Sequence, residues 1–189
     1  MKSIANLLFE AKMLKEIPRS GYQFLGSGNE SVAEHSFITA FIALVMSQMA
    51  PEIDALKLIS MCLLHDLPEA RTGDLNYVQK NYVTADEQKA VADATRDVPF
   101  GKSIAALLAE YQTGASPEAL LAHDADQLAL ILDLKALADT GYPSPNTWMP
   151  AVTGRLKTQA GRALCDSILQ THRDEWWLND SIDSAGRTH

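Results

Sequence analysis

Ser60-Met61-Cys62-Leu63-Leu64-His65-Asp66-Leu67-Pro68-Glu69 is the stretch on which the reading of this chain turns. Upstream of it, Ile53, Leu56, Ile59 and Leu63 recur at helical spacing, so a helix from about Glu52 runs into the His65-Asp66 pair and stops before Pro68. Adjacent helical residues point about 100° apart, and two ionisable neighbours do not ordinarily face one apolar core. At the last turn of a helix both can reach inward to one ion. An aspartate at a helix C-terminus also opposes the macrodipole, a conflict that a bound cation relieves. Ending an apolar run in two ionisable groups is costly without such compensation.

Three further pieces share the same chemistry: Glu34-His35, Gly73-Asp74 and Ala125-Asp126-Gln127. Two imidazoles and two carboxylates form an N/O ligand set suited to a divalent transition metal, with a position open for water. Glu69 and Asp74 are then spare carboxylates available for proton transfer, which reads as a hydrolase. Each residue also has a structural reading. His35 shares a helix face with Ile38, Ile42 and Val45, as a hydrogen-bonded core histidine would. Glu34 completes a capping box with Ser31. Asp124 and Asp126 are equal candidates by spacing, and His123 reads as a surface or supporting residue.

Working outward, helical periodicity dominates and no stretch alternates with period two. The spacing predicts an amphipathic first helix over residues 1–16 and a second from Ser31 to the break at Pro51. Arg71-Thr72-Gly73-Asp74 reads as a turn that returns a carboxylate to the site. Thr84-Ala85-Asp86-Glu87 reads as a second capping box, opening a helix towards Asp97; Ile104–Tyr111 is another helix, ended by Gly114. Ser116-Pro117-Glu118 starts a long helix that stops at Gly141. Residues 141–150 hold three prolines and read as a loop. A last helix over 151–178 ends in Trp176 and Trp177, read as a packing anchor. At 189 residues and 47% apolar content, the chain suits one all-α domain over residues 1–180, with 181–189 a frayed tail.

Charge and cysteine usage exclude some classes. A net charge of −8 without a basic stripe argues against a nucleic-acid polymer as partner, while leaving small phosphorylated molecules open. Cys62 and Cys165 form no metal or redox motif and read as buried free thiols of a cytoplasmic protein. No apolar run approaches the ~20 residues of a membrane span, so no membrane is expected.

In pattern, the chain resembles the HD-domain metal-dependent phosphohydrolases, and within them the 5′-deoxynucleotidase branch. The resemblance is carried, in order, by Arg19-Ser20-Gly21-Tyr22, Ser31-Val32-Ala33-Glu34-His35-Ser36, His65-Asp66-Leu67-Pro68-Glu69-Ala70, Thr72-Gly73-Asp74-Leu75 and Ala125-Asp126-Gln127-Leu128. It implies a single HD-type helical bundle and removal of the 5′-phosphate from (deoxy)nucleoside monophosphates. It implies His35, His65, Asp66 and Asp126 as ligands of one divalent ion, drawn from Co, Mn, Zn, Mg, Ni or Fe, and so selects Asp126 over Asp124. It also implies Glu69 and Asp74 as catalytic carboxylates, Arg19 as the phosphate contact, Tyr22 as the sugar-side aromatic, and a homodimer.

Two rivals stand beside this reading. A two-metal relative needs more histidines between His65 and Asp126, where only His123 occurs. Hydrolysis of another nucleotide or phosphoester remains within the family's reach, although few cations lie near the motifs to clamp a polyphosphate. The other rival is a non-catalytic helical interaction module with a structural ion or none; the spare carboxylates Glu69 and Asp74 weigh against it.

Overall fold

The computed structural model describes residues 1–178 and places them in helices joined by short turns. α1 (Lys2–Met13) passes into a 3₁₀ turn at Leu14–Glu16, and the short α2 (Tyr22–Leu25) precedes α3 (Val32–Met49). α4 (Ala55–Leu64), the single turn α5 (Glu69–Thr72) and a 3₁₀ turn at Gln79–Asn81 follow. α6 (Glu87–Ala94), α7 (Gly101–Thr113), α8 (Pro117–Asp139), α9 (Pro145–Thr153) and α10 (Gln159–Gln170) come next. No strand occurs among the described residues; one isolated antiparallel bridge joins Pro18 to Ser31. The fold is the all-α bundle expected from the periodicity.

α3, α4 and α8 form the centre, with α9 and α10 packed on α8. Met46, Leu58, Met61, Leu128, Ile131 and Leu134 are fully buried between them. Each such side chain contributes about 1.5–3 kcal/mol of transfer free energy. Caps fix where these helices begin. The Ser31 hydroxyl accepts from the Glu34 amide at 3.2 Å, while the Glu34 carboxylate accepts from the Ser31 amide at 2.7 Å. Asp54 and Ser116 cap α4 and α8 by accepting from the amides of Lys57 and Ala119. On α3 the buried face carries His35, Thr39, Ile42, Ala43 and Met46, and Val45 turns outward. α3 also has the length and mean hydropathy, 1.3, of a candidate membrane span by composition, and 44% of it is buried inside the bundle.

Several boundaries differ from the sequence reading. α6 is capped by Asp86, which accepts from the Lys89 amide, rather than opening at Thr84. α7 begins at Gly101, three residues before Ile104. The largest difference lies near the C-terminus, where one loop and one long helix were expected. Pro145 instead occupies the first turn of α9, where a missing N–H costs nothing, and Pro150 lies inside that helix. A continuous helix is then interrupted because Asp124 of α8 captures the backbone amides of Lys157 and Thr158. Thr158 then caps α10, its hydroxyl accepting from the Gly161 amide. Trp176 and Trp177 are 78% and 44% exposed, so they are not core anchors. The expected tail, 181–189, lies outside the described residues.

Candidate metal centre

Three elements deliver the candidate ligands to one place. The capping box of α3 engages Glu34 and leaves His35, one residue later, turned into the bundle with its side chain 1% exposed. His65 is the C-cap of α4, and its Nδ1–H donates to the Cys62 carbonyl at 2.7 Å. That bond fixes the ring so that Nε2 faces the centre, the orientation that a supporting carbonyl gives a metal-bound imidazole. Asp126 comes from the middle of α8.

The donor atoms converge. His35 Nε2 lies 2.9 Å from Asp126 Oδ1 and 3.8 Å from Asp66 Oδ2. His65 Nε2 lies 3.1 Å from Asp66 Oδ2 and 3.8 Å from Asp126 Oδ1. One ligand atom from each of His35, His65 and Asp126 falls within 4.8 Å of the others, the separation that a single ion bridges. His65 Nε2 is buried and has no hydrogen-bond partner, although Asp66 is close. A buried orphan nitrogen aimed among carboxylates suits a divalent cation, so the residues present fit the group that the pattern implies. His123 is elsewhere: its ring donates to the Tyr111 carbonyl at 2.8 Å and stacks on the Tyr111 ring.

Around this centre stand the other anticipated residues. The bridge between Pro18 and Ser31, with the Arg19 amide donating to the Glu30 carbonyl at 2.8 Å, folds the α1–α3 connection back over the N-terminus of α3. Arg19 Nη1 thereby reaches Asp66 Oδ2 at 3.2 Å and Asp74 Oδ2 at 3.7 Å. Gly73, at φ 73°, ends α5 and turns the chain so that Asp74 accepts from the Ser20 amide at 2.9 Å. Glu69 lies at the start of α5, with Oε2 buried and unpaired. A cavity of about 710 Å³ opens beside Arg19, His35 and Asp74 and continues past Tyr22 to Trp148.

Electrostatics follow from this crowding. Burial and the charges of Asp66 and Asp74 push the Glu69 carboxyl up to about 8. Burial would lower His65, but Asp66 and Asp126 outweigh it and raise the imidazole to about 9. Against burial, His65 and Arg19 hold Asp66 below the usual carboxylate range. Asp126 is likewise held low, against burial, by its hydrogen bond with His35 and the charge of His65.

An HD domain family model matches residues 11–167. The chain belongs to the HD domain family. This HD domain is similar to the protein named 5′-deoxynucleotidase HDDC2 of Dictyostelium discoideum, 31% identical over 131 residues, covering 63% of this chain and 69% of that protein. A protein of the same name from Danio rerio is 30% identical over 125 residues, covering 63% of this chain and 62% of its own length. Among solved structures, a conserved hypothetical protein from Pyrococcus furiosus superimposes with a TM-score of 0.76 at 27% identity, covering 88% of this chain and 99% of that one.

His35, His65, Asp66 and Asp126 thus meet at one centre of this HD domain, with Glu69, Asp74 and Arg19 around it and Tyr22 on the cavity wall. Asp124 does not join them. It is fully buried on another side of α8, where it accepts from the amides of Lys157 and Thr158 at 2.8 and 2.7 Å. Two cavity residues escaped the sequence reading. Glu30 places Oε2 3.8 Å from His35 Nδ1, and Asp133 Oδ2 accepts from Tyr22 Oη at 2.7 Å. A signal existed for Asp133: it lies seven residues after Asp126, on the same face of α8.

Proposed function

We propose that this HD domain is a divalent-metal-dependent phosphomonoesterase that removes the 5′-phosphate from (deoxy)nucleoside monophosphates. The observation that carries the reading is the partnerless His65 Nε2, set among His35, Asp66 and Asp126 at the end of a cavity floored by Arg19. The names of the relatives from Dictyostelium discoideum and Danio rerio support the substrate class.

His35, His65, Asp66 and Asp126 would hold one ion, with Co, Mn, Zn, Mg, Ni and Fe all compatible with an N/O donor set. When bound, it supplies Lewis-acid polarisation of the phosphoryl group and acidifies a water. The remaining work falls to the chain. Arg19 sits between Asp66 and Asp74 and offers a planar fork to the phosphate oxygens, a geometry lysine does not reproduce. Glu69 takes a proton from the attacking water as its oxygen bonds to phosphorus. As the P–O5′ bond breaks, the departing 5′-oxygen takes up a proton equivalent to the one Glu69 removed, passed to it at Asp74, which the Ser20 amide orients. Monoester hydrolysis is so slow uncatalysed that these groups must together lower the barrier by on the order of 20 kcal/mol.

Residues 1–180 form the catalytic domain in this proposal. It works on small nucleotides, with neither a nucleic-acid polymer nor a membrane as partner, in the cytoplasm. Buried free thiols at Cys62 and Cys165 support that compartment. A homodimer is supported by the exposed apolar strip of Phe37, Phe41, Leu44 and Val45 along α3. The test is release of inorganic phosphate from a panel of ribo- and deoxynucleoside monophosphates, with chelator and with added Co²⁺, Mn²⁺ or Mg²⁺. Metal-dependent release is expected. Its absence under every condition would leave a non-catalytic helical module.

A further inference from the structure

Beyond His35 the cavity presents chemistry that phosphate removal does not use. Tyr22 is held there in one pose. Its hydroxyl donates to Asp133 Oδ2 at 2.7 Å, and its ring lies 2.7 Å from where a Cβ on Gly28 would stand, at φ 81°. Only a glycine permits that approach. The phenol is therefore engaged with the protein, and the ring acts as a fixed wall. Asp133 also shares a side-chain hydrogen bond with Glu30, so that two joined carboxyls line the same cavity.

Position identifies what this wall meets. Glu30 Oε2 is 3.8 Å from His35 Nδ1, so it stands one imidazole's width behind His35 Nε2, the atom that faces the reacting end. For a 5′-nucleotide with its phosphate at Arg19, the group at that remove is the furanose edge bearing the secondary hydroxyls. The base, one ring farther out, would meet the part of the cavity lined by Trp148 and Phe24. Carboxyl oxygens accept more than one hydrogen bond, and a pair partly withdrawn from water gains from a further hydroxyl donor.

We propose that Asp133, together with Glu30, determines sugar specificity: it fixes Tyr22 beside the furanose and presents hydrogen-bond acceptors to a secondary hydroxyl. The inference rests on the nucleotidase reading above and assigns it a second recognition point. The chain selects nucleotides that carry such a hydroxyl, because a site built to accept from it discriminates strongly against an analogue without it.

The test compares kcat/KM for ribo-, 2′-deoxy- and 2′,3′-dideoxynucleoside monophosphates in the wild type, Asp133→Ala and Tyr22→Phe. In the wild type the better hydroxylated substrate should exceed the dideoxy analogue by on the order of 10- to 100-fold. Asp133→Ala should bring that ratio towards one, mainly through KM; a merely structural role would lower all three substrates together and leave the ratio. Tyr22→Phe removes a single oxygen and should reduce the ratio by a smaller factor, which keeps the test available if Asp133→Ala fails to fold. A wild-type ratio near one, or a wild-type ratio retained in the variants, would overturn the proposal. A second arm uses metal-free protein and ligand-observed NMR with adenosine, 2′-deoxyadenosine and 2′,3′-dideoxyadenosine. Tighter binding of a hydroxylated nucleoside supports the subsite, and equal or absent binding overturns it. Because this arm needs no turnover, failure of the nucleotidase reading is seen separately, in the phosphate-release panel.

Discussion

Asp124 and Asp126 offer the sharpest test, because two neighbours on one helix have been given unrelated roles. Two positions along a helix separate side chains by about 200°, so one of them faces the ligand centre and the other faces away. Asp124 is fully buried and accepts three hydrogen bonds, from the Lys157 amide at 2.8 Å and from the Thr158 amide and hydroxyl at 2.7 and 2.6 Å. Asp124→Asn replaces one acceptor oxygen with an amino group that must face a donor. The loss of a charge-assisted bond costs about 1.5–3 kcal/mol, and a stranded buried donor adds about 1–3 kcal/mol. Taken together, a destabilisation of about 2.5–6 kcal/mol is expected. For a domain of this size that lowers the melting temperature by about 5–24 °C. Circular dichroism melts would measure it, and elemental analysis of the folded protein should find its metal content unchanged. Asp126→Asn should do the reverse, weakening metal binding by more than the about 10–100-fold typical of losing a group that only orients a ligand. If Asp124→Asn melted with the wild type, or lost its metal while remaining folded, the division of labour would be wrong.

Two further outcomes follow from the same geometry. Glu69→Gln is nearly isosteric and should retain the ion while turnover falls by about 10²–10⁴-fold, as loss of a general base does; full turnover in a steady-state phosphate assay would remove Glu69 from the mechanism. The metal-free protein should lose stability with rising pH. Glu69, raised to about 8, and His65, raised to about 9, both bind protons more tightly when folded. Their contribution is fully present below their ordinary values and is lost as pH climbs through 8 to 9. Melting temperatures taken in chelator should therefore fall between about pH 6.5 and pH 9. A rise over that range would contradict the assigned crowding.

The legible part of the fold was whatever short-range chemistry enforces. Ser31 and Glu34 announce the start of α3, and Ser116-Pro117 the start of α8, because both signals act within one turn. The split between α9 and α10 was not legible, since its cause is Asp124, more than thirty residues upstream. Gly161 bears out that distant control: a Cβ there would stand 2.3 Å from Asp124 Oδ2. At the site, His65-Asp66 stood out because an ionisable pair closing an apolar run needs a reason. Glu30 and Asp133 did not, because a single carboxyl on a polar helix face or beside a cap carries no local signature. Their roles come from what the fold sets opposite them.

The surplus of acid explains why a cation suits this centre. Asp66, Asp74, Asp126 and Glu69 crowd around Arg19 and His65, so negative groups outnumber positive ones in a place largely removed from water. Such an excess is not left unbalanced. In the metal-free chain the balance comes from protons, held on Glu69 up to about 8 and on His65 up to about 9. Near neutral pH, then, the residue proposed as the base already carries the proton it is meant to accept. With the ligand cage filled, His65 would give up its proton to serve as a ligand, and the added positive charge would favour ionised Glu69. On the proposed mechanism, metal loading and base activation would thus be one electrostatic event. The same balance implies that ion uptake at neutral pH is accompanied by release of protons. Calorimetry in buffers of different ionisation enthalpy would register that release, and uptake with no proton released would break the link between the two.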